Sequence, residues 1–238
     1  MNYDKALKLG IYPTLGALLF AACIFRLFDH TVLVFRVLVI ACSLIIACTS
    51  LIFLTKRKIP LFLGIGLAVC FLADVFISLL FNVLKDVADV SIFQNIGFVL
   101  FLAAHILFAT HLKMHLVDII IRIALPVVVI IVLLIMVKLT LRLGILSFYG
   151  VTLLTNVVIA FLRFWKAKTN TRLLLFVGLL VFFISDSLIV VRSLMQQGAP
   201  YLILDLLVWL TYIPALSIIL YAGCREACST NVADNPNC

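Results

Sequence analysis

The chain has 238 residues, of which 66% are hydrophobic and only 12% charged, against roughly half apolar and about a quarter charged in an ordinary soluble domain. A soluble fold needs a polar exterior, and a mean hydropathy of +1.34 leaves too little material for one. The net charge of +8 would suggest nucleic acid in a soluble chain; here the basic residues sit at the ends of apolar runs, so they report membrane topology and imply no nucleic-acid partner.

A spanning helix takes about 20 apolar residues, which gives this chain room for about eight. Punctuation at charged and turn residues predicts an all-α polytopic membrane protein with spans over residues 10–28, 30–54, 59–84, 89–112, 116–138, 142–165, 171–196 and 200–223. Residues 1–224 would form one membrane domain and 225–238 a short polar tail. No alternating strand pattern points to a barrel. Lys5 and Lys8 ahead of Phe20-Ala21-Ala22-Cys23 look like a signal or lipoprotein box, but seven further apolar runs follow, so the segment reads as a retained first helix. Cys23, Cys42, Cys48 and Cys70 lie inside spans as small hydrophobes. Cys224, Cys228 and Cys238 are expected to be cytoplasmic and reduced.

Twelve of the 18 basic residues fall on one side: Lys5, Lys8, Lys56, Arg57, Lys58, Lys113, Arg122, Arg163, Lys166, Lys168, Arg172 and Arg225. The other six are Arg26, Arg36, Lys85, Lys138, Arg142 and Arg192. The positive-inside rule therefore places both termini in the cytoplasm.

An ionisable side chain inside a span is costly, and each one is by default a functional-site candidate. Asp74, His105 and Asp186 lie deep, whereas Arg36, Arg192 and Asp205 lie near the predicted outer surface. Asp74 ends Gly66-Leu-Ala-Val-Cys-Phe-Leu-Ala-Asp74, and Asp186 ends Gly178-Leu-Leu-Val-Phe-Phe-Ile-Ser-Asp186. The two segments share Gly, Leu, Val, Phe and Asp on parallel spans, which puts both carboxyls ~22 Å from the cytoplasmic end and hints at a four-plus-four duplication. His105 follows Gly97 at the same spacing. Glycine and polar group then share a helix face, where the missing side chain admits a neighbouring helix.

Helical spacing also groups Gln94, Gly97, Phe101 and His105; Tyr149, Thr152, Asn156 and Arg163; and Tyr201, Asp205, Trp209 and Tyr212. Helical rise puts Tyr212 ~18 Å and Asp74 ~15 Å from the outer surface. Thr152 and Asn156 can simply bond between helices. Arg192 and Asp205 are expected to form an ion pair, Asp118 and Arg122 an interfacial pair, and His111 and His115 are expected to be solvated.

These motifs resemble the lysoplasmalogenase, or YhhN-type, membrane family. The resemblance rests on Gly66 to Asp74, on Gly97, Phe101 and His105, on Gly178, Phe182, Ser185 and Asp186, and on Trp209 and Tyr212, over roughly residues 55–221. Two positions depart from the family pattern: Ala73 stands where glycine is usual, and Leu216 where a glutamine is usual. The first is a mild steric change, and the second removes an amide able to orient water or a headgroup.

The resemblance implies hydrolysis of the vinyl ether bond of lysoplasmalogens to a fatty aldehyde and a glycerophospho-alcohol. Such cleavage starts with protonation of an alkene carbon and passes through an oxocarbenium ion that water captures. A carboxylic acid and a nearby carboxylate suit it, as in glycosidases. Asp74 and Asp186 are the candidates for acid and counter-charge, with the proton shared, and His105 or Tyr212 would orient the water. Tyr212, Trp209, Tyr149, Asn156, Phe101 and Phe182 are the candidate substrate-binding residues, with Phe101, Phe182 and Phe183 lining an apolar tunnel. The headgroup should meet a Lys or Arg at one mouth. No cofactor and no metal is called for, although His105 with Asp74 and Asp186 also matches a catalytic zinc set of one His and two carboxylates; the expected partners are the lysophospholipid substrate and membrane lipid. The location would be the plasma (inner) membrane in a bacterium or the endoplasmic reticulum in a eukaryote. The competing class is a small proton- or cation-coupled transporter using the same Asp/His centre.

Overall fold

The computed structural model describes residues 7–28, 32–84, 90–112, 116–136, 141–194 and 199–231. They fold into eight helices: α1 (Tyr12–Phe28), entered through a π-helical turn at Leu7–Ile11, α2 (Val32–Thr55), α3 (Leu61–Asp74), α4 (Val90–His111), α5 (Leu116–Met136), α6 (Leu141–Ala167), α7 (Asn170–Leu194) and α8 (Ala199–Asn231). After Asp74 the α3 rod widens into a π-helical turn at Val75–Leu80 and ends with Phe81–Leu84. No strand occurs among the described residues.

Six segments are long and apolar enough to cross a membrane: Leu33–Thr55, Leu61–Leu80, Ile92–His111, Gly144–Ala167, Asn170–Val191 and Pro200–Ser229. In α1 and α5 the apolar stretches are shorter, Tyr12–Leu27 and Ile123–Val132. The outward faces of the helices carry large exposed apolar side chains such as Phe20, Val37, Leu51, Ile123 and Ile203, a surface that water disfavours and lipid accepts. The chain is a membrane-embedded helical bundle, with helices close to the predicted spans.

The clearest difference is α8, which continues past the predicted end at 223 to Asn231. Burial of Ala222, Cys224 and Ala227 holds the extra turns. So does a hydrogen bond between Glu226 and the His111 ring of α4, 2.9 Å apart. His111, expected to be solvated, is therefore a partly buried interhelical partner.

Neighbouring helices close a ring, α1–α2–α3–α4–α6–α7–α8, with α8 packing back on α1, α2 and α3. Helix α5 packs on α6 outside the ring. The α2–α3 corner shows how tightly the ring is turned. Arg57 takes a left-handed φ of 53°, its N–H reaches the Leu54 carbonyl, and the Lys58 N–H reaches that of Phe53, a paired closure that satisfies the last carbonyls of a helix.

The glycines that precede the deep polar residues act as the sequence spacing predicts. A side chain at Gly66 would collide with the Phe108 ring of α4, and one at Gly97 with Ile77 and the Ala73 carbonyl oxygen of α3. At Gly178 it would meet Ile219 Cγ1 of α8 at 2.7 Å. Each bare position lets two helices touch closely.

Candidate active site

The close helix contacts leave a polar-centred cavity of about 460 Å³ inside the ring. Asp74 and Asp186 both line it, together with Phe101, Tyr149, Phe183, Trp209 and Tyr212. Its walls are otherwise mainly apolar, from Ile77, Phe98, Leu146, Leu153, Ile189, Val190 and Val208. Two lining residues, Ser187 and Val190, lie on α7 and are exposed.

Each aspartate is held by a tyrosine of a neighbouring helix. The Tyr212 hydroxyl of α8 donates to Asp74 Oδ2 at 2.9 Å, and the Tyr149 hydroxyl of α6 donates to Asp186 Oδ2. Ser43 of α2 is a further hydroxyl beside Asp74. Asp74 is 3% exposed, whereas Asp186 is only partly buried. A carboxyl in low dielectric requires such donors, because an unpaired buried charge is far costlier than a paired one.

Position along α3 adds a local cause. Asp74 is the last α-helical residue before the π-helical turn, and wide turns of this kind recur at functional sites because they re-aim side chains. Ile77 and Ser78, inside that turn, face the same cavity as Asp74.

Not every expected residue reaches the cavity. His105, Asn156 and Phe182 are not among its lining residues and form the layer behind it. His105 is fully buried, its ring 4.7 Å from Phe182, 5.4 Å from Tyr149 and 5.5 Å from Phe108. Asn156 donates from Nδ2 to the His105 carbonyl oxygen at 2.8 Å, an interhelical bond of the structural kind. Phe182 packs edge-on against Phe101 and Tyr212. The aromatic wall residue on this turn is Phe183: successive helical side chains point about 100° apart, so a shift of one position moves a ring from cavity to core.

A second cluster, of charged residues, borders the cavity at Arg36. Asp205 is fully buried and bonded to two arginines, Arg36 Nη2 to Oδ1 at 2.7 Å and Arg26 Nε to Oδ2 at 3.2 Å. The expected partner Arg192, like Asp118, Arg122 and His115, lies outside the described side chains. Sequence reasoning placed Arg26 among flanking charges and missed that Arg36 lines the cavity. Three residues on α1, α2 and α8 meet only through tertiary packing, and no periodicity in one helix encodes that.

Among the described residues no group of three or more His, Cys, Asp or Glu side chains could hold a metal ion. The class defined so far is a polytopic helical membrane protein with two tyrosine-capped carboxyls in an intramembrane cavity. The YhhN family model matches residues 31–222, a stretch that contains both carboxyls and both tyrosines, and the chain belongs to the YhhN family. No curated protein and no solved structure matches it.

Proposed function

We propose that the protein is an intramembrane hydrolase that cleaves the vinyl ether bond of lysoplasmalogens. The observation that carries this reading is the pair of tyrosine-held carboxyls, Asp74 and Asp186, on one mainly apolar cavity of a YhhN-family bundle. A single-chain lipid needs such an apolar enclosure with few polar groups.

In this mechanism one aspartate, protonated, gives its proton to the alkene carbon distal to the ether oxygen. The other, ionised, faces the oxocarbenium carbon that results. Water adds to that carbon and surrenders a proton to a carboxylate. The hemiacetal then collapses, the glycerol oxygen leaves with a proton, and the products are a fatty aldehyde and a glycerophospho-alcohol. One water is consumed, and the acid and base forms of the pair are restored. The proton belongs to the pair as a unit, because two interacting carboxyls titrate together. Tyr212 and Tyr149 fix the carboxyl orientations. His105 acts from behind the wall, supporting Tyr149 and Phe182 by ring contact, and is a positioning residue.

The lining residues Ser187 and Val190 are exposed on α7, and entry past them would suit a substrate dissolved in the bilayer. That bilayer would be the plasma membrane in a bacterium and the endoplasmic reticulum in a eukaryote, with both termini in the cytoplasm. The deciding experiment is aldehyde release from lysoplasmalogen by the purified chain in detergent. Transport needs two compartments, which detergent abolishes, so turnover there supports hydrolysis; its absence in folded protein overturns the reading in favour of a proton- or cation-coupled transporter.

A further inference from the structure

The cavity has a second polar pole that the hydrolytic chemistry leaves unused. Arg36 lines the same cavity as Asp74 and Asp186 and is itself 7% exposed. Its guanidinium is bonded to Asp205, which also takes a bond from Arg26. Two arginines thus converge on one buried carboxylate, and one of them borders the cavity. The Arg36 guanidinium lies 5.4 Å from the Phe35 ring centroid and 5.7 Å from that of Trp209, so its charge is fixed in place rather than carried on a mobile stem.

Trp209 supplies an independent observation. It is 4% exposed and lines the cavity, and its buried Nε1–H has no acceptor among the described residues. A buried indole N–H ordinarily finds a partner, so this one is a donor available to a ligand oxygen beside the Arg36 charge. The indole also stands between the two poles, with its ring edge-on to Tyr212 at 5.5 Å, and Tyr212 in turn holds Asp74.

We propose that Arg36 and the indole N–H of Trp209 bind the phosphate of a single-chain lysophospholipid. This rests on the hydrolase reading and adds the substrate's orientation. The phosphate sits at the Arg36 pole, the glycerol unit crosses the indole, and the ether oxygen comes to Tyr212 and Asp74. Arginine suits the task because its planar fork matches phosphate oxygens.

The test is equilibrium binding, which needs no turnover. Radiolabelled 1-acyl lysophosphatidylcholine and a monoacylglycerol of the same chain are bound to the purified full chain in neutral detergent. The wild-type protein should prefer the phosphate-bearing lipid, and that preference should fall about tenfold in Arg36→Gln and in Trp209→Phe, the loss of a charge-assisted contact being of that order. Trp209→Phe keeps an aromatic ring against Arg36 and removes the N–H, so it remains informative if Arg36→Gln misfolds by stranding Asp205. A folded Trp209→Phe protein with unchanged preference, or a wild type with none, overturns the proposal. Millimolar inorganic phosphate should fail to displace the lipid; equal competition would assign the pole to a free anion and overturn the lipid assignment. Headgroup-dependent binding without aldehyde release would retain this site while removing the vinyl ether reading. Aldehyde release with headgroup-independent binding would do the reverse.

Discussion

Tyr212 donates its hydroxyl to Asp74 at 2.9 Å across the α8–α3 contact, and Tyr149 repeats the arrangement for Asp186 across α6 and α7. Two carboxyls on sequence-similar segments are thus each oriented by a phenol from a neighbouring helix. In the proposed hydrolase this division leaves the carboxyls for proton transfer and the tyrosines for aim.

Asp74→Asn and Asp186→Asn keep side-chain shape and most hydrogen bonding while removing the titratable group. Each should lower turnover by on the order of 10²-fold or more, with the bundle intact. Aldehyde release and size-exclusion profiles, measured on the same preparations, check this. Near wild-type activity in a folded Asp186→Asn protein would refute the assignment.

The tyrosines are expected to act through the carboxyls they hold. Tyr212→Phe should lower kcat by about tenfold, the worth of one hydrogen bond to a charged group, with a smaller change in KM. Combined with Asp74→Asn, it should add little further loss, because the two residues form one unit. A double-mutant cycle on kcat reads this directly, and fully additive losses would mean that Tyr212 acts apart from Asp74.

Phe182 and Phe183 separate selectivity from stability. Phe183 lines the cavity, so Phe183→Ala should shift preference toward longer alkenyl chains. Phe182 is fully buried between His105, Phe101 and Tyr212, and Phe182→Ala should cost about 3–5 kcal/mol of stability. Thermal unfolding in detergent and turnover ratios for short and long chains distinguish the two. A chain-length shift confined to Phe182→Ala would put the wrong ring in the wall.

Much of the carboxyl pair was legible in the chain itself, because an aspartate inside an apolar run has few reasons to be there other than function. The glycine spacing was legible for a similar reason: a missing side chain two helical turns from a buried polar group marks a close helix contact. The span-end charges were not. A positive charge near a helix end ordinarily marks the membrane interface, and Arg26 and Arg36 carry no local sign that tertiary packing turns them onto Asp205. The choice between Phe182 and Phe183 depends on a rotation of about 100°, finer than a span boundary read from sequence. His105 shared the aspartates' spacing but lies one layer deeper, because Phe101, Tyr149 and Phe182 close over it.

The last prediction uses the helix contact behind Asp74. Gly97 of α4 faces Ile77 in the π-helical turn and lies against the Ala73 carbonyl oxygen, which a Cβ would approach to 3.2 Å. The Ile77 side chain can rotate, but the carbonyl belongs to the backbone one residue before Asp74, so α3 itself must move. Gly97→Ala should therefore destabilise the bundle by about 1–3 kcal/mol, the usual cost of overpacking, and displace Asp74 from Tyr212. Gly144→Ala is the control, because nothing lies within 4 Å of a Cβ there, and it should leave the thermal midpoint nearly unchanged. Gly97→Ala should lose turnover beyond what its fraction of folded protein explains, since a small misplacement of a reacting group is costly. Equal midpoints and equal specific activities for the two variants would show that the α3–α4 contact does not set the position of Asp74.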